Sequence, residues 1–337
     1  MRPFDRVCAR VYLEVVRVRF ALTESKRRHR VARALAKGEE MGKGSSDAPI
    51  TVRIPYARPY RYDQLIDFLR FRAIKGVEVV DESGRYARTC VVDGDVGWIT
   101  VDNDEAAGEI VLRVSESLSA HADDLARRTR LLFDTDCDPV AVTAALSDFY
   151  ARVDARYRIE GVRLPCSFEP FEMSMRAILG QQITVKAANT LAGRVADEFG
   201  ISCEMPVLGL TCVFPSASAF LGEDVPERLG RLGVIGRRAQ AICLLARALH
   251  DGSIRMGPNE DVEANAKALL ALPGIGPWTV NYLLMRAFHH ADALPAADYG
   301  VKLAFSGMTP RQIEKASEAW RPYRSYAVMS TWCVPHE

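Results

Sequence analysis

The sequence predicts an α+β N-terminal domain, an antiparallel sheet with helices, followed by a larger and mainly α-helical body. Three observations carry this reading. Short β-rich runs separated by Gly and Asp turns occupy residues 50–117. From about Leu118 onward strand signals nearly vanish and helical periodicity recurs. Gly and Pro then punctuate the helices at Pro165, Gly200, Pro206, Gly233, Gly236 and a cluster at 273–277.

Residues 1–48 stand apart. They contain the charge run Lys26-Arg27-Arg28-His29-Arg30 and the linker-like Gly42-Lys43-Gly44-Ser45-Ser46. The expectation is a disordered or spurious basic extension, with Met41 as a candidate initiator. A nonspecific DNA-binding tail is the alternative. Residues 49–117 form the α+β domain. Within it Asp63 is expected to cap a short helix with Leu65, Ile66, Phe68, Leu69 and Arg72 at helical spacing. Strands follow at Ala87–Val92, Val96–Val101 and Ile110–Val114, joined by polar turns at Asp93-Gly94-Asp95 and Asp102–Gly108. Such tight connections require antiparallel neighbours.

Residues 118–337 form the helical body, with helices expected at 119–133, 139–153, 169–199, 216–223, 237–250, 260–271, 278–290, 309–320 and 323–333. Thr309-Pro310-Arg311-Gln312 is a well-formed helix start: threonine caps, proline takes the first turn and glutamine reaches back.

Composition excludes several classes. The 337 residues carry 44 Lys+Arg against 43 Asp+Glu, so no global basic field advertises nucleic acid. The balance is segregated, with 12 basic and 6 acidic residues in 1–50, and 32 against 37 in the rest. Any nucleic-acid contact by the main body must therefore be local, through backbone amides and a few placed cations. No apolar run reaches the length of a membrane span and no signal peptide is evident, so a cytoplasmic, nucleoid-associated protein is expected. Eight scattered cysteines with no CxxC pair read as free thiols. His289 and His290 are adjacent and point in different directions on a helix, so zinc chemistry is disfavoured.

The most informative stretch is Leu269 to Tyr282, in which one apolar helix ends, Pro273-Gly274-Ile275-Gly276 turns, and a second helix starts at once. Glycines permit the positive φ and close approach of a tight hairpin. The amides of such a turn and of the following helix N-terminus point outward together and bind phosphate without a basic side chain. The alternative is an ordinary corner between two helices. Asp298 lies 24 residues after Gly274, in Leu294-Pro295-Ala296-Ala297-Asp298-Tyr299, where a new helix would begin. It is first of all an N-cap, yet a carboxylate has two oxygens and the second can face a cleft. Chain geometry does not choose between the two roles.

Leu272-Pro273-Gly274-Ile275-Gly276 followed by Asp298 resembles the helix-hairpin-helix DNA glycosylase superfamily, and within it the chain is similar to the bacterial 3-methyladenine DNA glycosylase II group. The likeness extends over nearly all of residues 50–335. It includes Arg176-Ala177-Ile178-Leu179-Gly180-Gln181-Gln182 and Trp320-Arg321-Pro322-Tyr323-Arg324-Ser325-Tyr326-Ala327. The hairpin then falls at 260–290. The resemblance implies a β-sheet domain plus an all-helical body, double-stranded DNA containing alkylated bases as partner, and a monomer.

It further implies that Asp298 is the catalytic aspartate and that Trp278, Tyr282 and Trp332 line a base pocket. Tyr299 follows the aspartate and Phe68 would close the pocket from the N-terminal domain, although core packing is the preferred reading of both. DNA contacts would come from Gly274, Ile275, Gly276, Lys302 and Gln182, the last either as the wedge that fills the gap or as a helix-stabilising polar contact. Arg286 and Arg324 are expected to pair with buried carboxylates. Strand-cutting members carry a lysine nucleophile where this chain has Trp278, and cluster-bearing members need four C-terminal cysteines where this chain has only Cys333. No cofactor and no catalytic metal are expected. The hairpin carbonyls near Gly274 and Gly276 would hold a structural Na+ or K+.

The implied activity is monofunctional: hydrolysis of the N-glycosidic bond of alkylated purines, chiefly 3-methyladenine and also 7-methylguanine, in base excision repair. The rival from another class is a noncatalytic helix-hairpin-helix protein that binds DNA or recognises lesions. A binder needs the hairpin amides but has no use for a carboxylate that repels phosphate.

Overall fold

The computed structural model describes residues 49–234 and 236–334. The expectations for residues 1–48, Met41 included, lie outside the described residues. Strands β1 (Ile50–Pro55), β2 (Glu78–Val80), β3 (Tyr86–Val92), β4 (Asp95–Asp104) and β5 (Glu109–Val114) form one antiparallel sheet in the order β1-β5-β4-β3-β2. Asp93 and Gly94 both take positive φ between the paired Val92 and Asp95, the requirement of a two-residue hairpin whose twist matches its strands. β1 and β2 were not anticipated as strands. β1 gains its place by pairing with β5, Ile54 opposite Ile110, a partner 56 residues away that local pattern does not display.

Helix α1 (Tyr62–Arg72) buries Leu65, Ile66, Phe68 and Leu69 as the periodicity predicts. It starts two residues earlier than expected, with Arg61 and not Asp63 in the capping place. Asp63 therefore lies inside the first turn, where its carboxylate accepts from the Arg61 guanidinium at 2.9 and 2.7 Å.

The body comprises α2 (Ala122–Phe133), α3 (Pro139–Ala145), α4 (Ser147–Arg152), α5 (Pro170–Leu179), α6 (Val185–Phe199), α7 (Val225–Arg231), α8 (Arg237–His250), α9 (Val262–Leu270), α10 (Pro277–Arg286), α11 (Tyr299–Ala304), α12 (Pro310–Ala316) and α13 (Arg324–Trp332). The helix expected over 169–199 is two helices. The chain breaks after Leu179, Gln182 takes φ +57°, and Thr184 restarts the helix by accepting the Ala187 N–H. The stretch expected over 139–153 likewise divides, at Leu146. At 216–223 there is only a short 3-10 turn, with α7 following it. The Thr309–Gln312 capping box forms in both directions.

Sheet and body share one core, running from Ile54 and Ile99 to Leu283 and Met329. A buried charge cluster joins them. Arg88 of β3 donates to Glu172 of α5 at 2.7 Å, and Arg176 donates to Glu172 at 2.7 Å and to Glu78 of β2. Tyr86 adds a hydroxyl to Glu78 at 2.6 Å. Burial pushes the Glu78 carboxyl up, but Arg176 and Arg88 outweigh it and hold it at about 2. Arg176 also donates to the Arg72 carbonyl, which pins the end of α1 to α5.

Candidate active site

The site is built from the ends of α10, α11 and α13. The hairpin between α9 and α10 turns at Gly274, whose φ is +91°. A Cβ there would also meet Ala241 at 3.0 Å and the Arg237 carbonyl at 3.3 Å, so glycine is required both by conformation and by the approach of α8. Gly276 differs, because a Cβ on it would meet nothing within 4 Å. Pro277 occupies the first turn of α10 and Gly276 caps it without a side chain, which leaves the outward amides uncovered.

From α10, Asn281 controls the approach to Asp298. Its side chain donates to the Pro277 carbonyl and accepts the Leu294 N–H at 3.1 Å. The chain then passes Pro295, Ala296 and Ala297 and closes a turn, with the Asp298 N–H donating to the Pro295 carbonyl at 2.8 Å. Asp298 caps α11: its Oδ1 accepts from the N–H groups of Gly300, at 2.9 Å, and Val301, at 3.4 Å.

Two indoles complete its surroundings. Trp332 donates from Nε1 to Oδ1 at 2.8 Å, and Trp278 donates from Nε1 to Oδ2 at 2.9 Å. Four N–H donors therefore converge on one half-buried carboxylate, and all are neutral. Oδ1 carries three of them and Oδ2 only one, which leaves Oδ2 with room for a further partner. Tyr282 lies between the two indoles, stacked on Trp278 with centroids 5.3 Å apart and tilted to Trp332 at 5.5 Å. The structure thus brings together Asp298, Trp278, Tyr282 and Trp332. The donation of both indoles to the carboxylate was not foreseen, since the aromatics were considered only for their faces.

The other candidates fall differently. Tyr299 is 63 % exposed, so core packing does not describe it. Phe68 is 4 % exposed and does belong to the core, with the Arg72 guanidinium 3.7 Å and the Arg286 guanidinium 4.8 Å from its ring centroid. Arg324 pairs with Asp292 as expected, at 2.6 Å. Arg286 does not pair with a carboxylate. Its Nε donates to the Pro165 carbonyl and its Nη1 has no partner among the described residues. Burial lowers its pKa and that of Arg72, which falls to about 10. Both guanidiniums lie over the aromatic Phe68 face, which for Arg286 takes the place of the expected anion. Arg72 was not singled out for a role from sequence, although a Phe and an Arg four apart on a helix is the signal that finds it.

Lys302 is exposed on α11. Gln182 is exposed and lies in neither flanking helix, so the stabilising polar contact considered for it belongs to its neighbour: Gln181 donates to the Gly274 carbonyl at 2.9 Å and to Thr279 Oγ1 at 3.0 Å. Among the described residues no group of three or more His, Cys, Asp or Glu is placed to hold a metal, and no helix is long and apolar enough to cross a membrane.

Comparison with known proteins follows the same lines. Residues 51–169 match the AlkA N-terminal domain, and residues 175–322 match the HhH-GPD superfamily of base excision DNA repair proteins. The chain is 36% identical over 274 residues to DNA-3-methyladenine glycosylase 2 of Escherichia coli, covering 81% of this chain and 94% of that protein. It is 33% identical over 310 residues to a probable bifunctional transcriptional activator/DNA repair enzyme AlkA of Mycobacterium tuberculosis, covering 89% of this chain and 60% of that longer protein. In fold it is similar to a 3-methyladenine DNA-glycosylase from Archaeoglobus fulgidus, with TM-score 0.69 at 20% identity over 83% of this chain and 97% of that one. The two family matches in chain order and the identity over almost the whole Escherichia coli protein show that the chain belongs to the HhH-GPD superfamily of base excision DNA repair proteins, and that it is a hydrolase of the DNA N-glycosylase type.

Proposed function

We propose that the chain is a monofunctional glycosylase that removes alkylated purines, 3-methyladenine and also 7-methylguanine, from double-stranded DNA by hydrolysis. The observation that carries this reading is the Asp298 carboxylate, held by four neutral N–H donors with Oδ2 left open beside an aromatic row. Alkylation at N3 or N7 makes the purine cationic, so the base departs as a neutral molecule and takes the electron pair of the C1′–N bond. The sugar is left with oxocarbenium character. Asp298 stabilises that charge through space, and because no cation is paired with it among the described residues its negative field is not cancelled. Oδ2 also orients the attacking water and receives its proton as the C1′–O bond forms.

The remaining residues serve access. Reaching the carboxylate requires the nucleotide to be flipped from the duplex, at a cost that is lowest for damaged bases. Gln182, exposed and carrying a left-handed backbone, fills the vacated stack. Trp278, Tyr282 and Trp332 form the pocket wall, and the rings of Trp278 and Tyr282 suit a cationic purine. The amides at Gly274–Gly276 take a phosphate, with Lys302 as a nearby cation. The place of Trp278 at the position of the strand-cutting lysine supports an intact abasic product. The hairpin carbonyls suit a structural Na+ or K+ only in part. Gly274 already accepts from Gln181 and Gly276 from the Val280 N–H, so each has one lone pair to offer. Such an ion would add positive charge between hairpin and phosphate.

The test compares wild type with Asp298→Asn for release of free base from methylated duplex DNA. Asparagine caps a helix about as well as aspartate. The expected result is a folded, DNA-binding variant slowed roughly a hundred- to a thousandfold. A wild type that binds lesion DNA and releases no base from any alkylated substrate would make this a binding module.

A further inference from the structure

The residue next to the proposed wedge is anchored by hydrogen bonds from both its side chain and its backbone carbonyl. Gln181 lies in the break between α5 and α6. Each N–H of its side-chain amide has its own acceptor, the Gly274 carbonyl at 2.9 Å and Thr279 Oγ1 at 3.0 Å. Thr279 is buried in the first turn of α10. The backbone carbonyl of Gln181 accepts from the Arg238 guanidinium, which comes from the first turn of α8. The same end of α8 brings the Arg237 carbonyl and Ala241 up against Gly274. One residue thus ties three elements together: the loop, the hairpin turn and the start of α8.

Gln182 follows immediately with φ +57°, a conformation that an L residue with a side chain avoids. A residue is held there only when its surroundings over-determine it. Gln182 is exposed, and Gln181 makes the anchoring bonds, so the constraint that holds Gln182 in place passes through its neighbour.

We propose that Gln181 is a positioning residue that locks the Gln182-bearing loop to the phosphate-binding hairpin, so that grip on the backbone and insertion into the stack act as one rigid unit. The inference rests on the base-release reading above. A hairpin that has seated on a phosphate then has the Gln182 side chain already at the right height and direction. No separate ordering of the loop is required when the damaged nucleotide leaves the duplex. Gln181 acts on flipping and not on the chemistry at Asp298, which separates it from a residue that merely stabilises the fold.

The test uses Gln181→Met, which keeps the length of the side chain and removes both donors, with Gln181→Ala as a second variant should the first fold poorly. Base release is measured under single turnover on two substrates: a duplex with the methylated purine normally paired, and the same duplex with an abasic site opposite the lesion, where the base is already unstacked. On the paired duplex the variant is expected to lose roughly 10- to 100-fold, the size of effect of a misplacement of about 1 Å. On the unpaired substrate it is expected to stay within about threefold of wild type, because flipping no longer limits the rate. Combining Gln181→Met with Gln182→Ala should add nothing to the larger single loss, since both act through one side chain. An equal loss on both substrates, full additivity with Gln182→Ala, or no loss at all overturns the proposal while the base-release reading stands. A wild type that releases no base from either substrate overturns that reading, and this one with it.

Discussion

Two carboxylate centres of the molecule are held in opposite ways. At the junction of sheet and body, Glu78 and Glu172 are buried and meet Arg88 and Arg176. Every negative charge there has a guanidinium against it, and the field beyond the cluster is small. At the end of α10, Asp298 is half-buried and meets two indole and two backbone N–H groups, none of them charged. Its geometry is fixed as firmly, but its charge remains uncompensated. Full pairing makes a rivet, whereas anchoring by neutral donors keeps an anion available to a cation that arrives later. A developing oxocarbenium ion is such a cation.

The contrast is open to direct attack, and the largest effect is expected at the rivet. Glu172→Gln removes the negative charge that Arg88 meets at 2.7 Å in a buried setting and should cost about 3–5 kcal/mol in chemical denaturation. Base release per folded molecule should be unchanged. Acid sharpens the point. Because the folded Glu78 carboxyl is held at about 2, below its ordinary 4.5, its contribution is present above pH 4.5 and is lost as pH falls from there towards 2. Urea midpoints should fall across that window in wild type, and the component should be missing in Glu78→Gln.

At the open centre the order reverses. Asp298→Asn should lose far more rate than stability. It still places an NH2 against an indole N–H, and that mismatch should cost about 1–3 kcal/mol in a denaturation curve. If the stability loss equals that of Glu172→Gln, the two centres do the same job and the distinction collapses. Trp332→Phe is the smallest of these changes, since it keeps an aromatic ring and removes one donor to Oδ1. A hydrogen bond to a charged group is worth about 1.5–3 kcal/mol, so the rate should drop roughly 10- to 100-fold if the donor positions the anion. An unchanged rate would leave Trp332 as a pocket wall only.

Much of this protein was legible in its sequence, for reasons that are local. The Asp93-Gly94 turn, the Thr309–Gln312 box and the buried stripe of α1 all depend on residues within a few positions of one another. The hairpin was legible because a turn at positive φ against a neighbouring helix calls for glycine, as at Gly274, and Asp298 because a carboxylate before a helix is a cap. The misreadings came where a neighbour competed or a partner was remote. The helix expected to start after Asp63 begins two residues earlier, with Arg61 in the capping place, and the break after Leu179 is stabilised by contacts with α8 and the hairpin. Arg286 was expected to find a carboxylate and instead lies over Phe68, a ring from the other domain.

The sequence by itself determined the α+β-then-helical order, the hairpin and the place of Asp298 as a helix cap. Local sterics and capping energetics settle such features without reference to the rest of the chain. Only the tertiary structure decided what the carboxylate meets. Trp278 and Trp332 stand 20 and 34 residues from Asp298, and nothing in their spacing says that both indole N–H groups turn towards it and not their ring faces. That orientation is set by how α10, α11 and α13 pack, since a buried N–H must find an acceptor and Asp298 is the one this packing supplies.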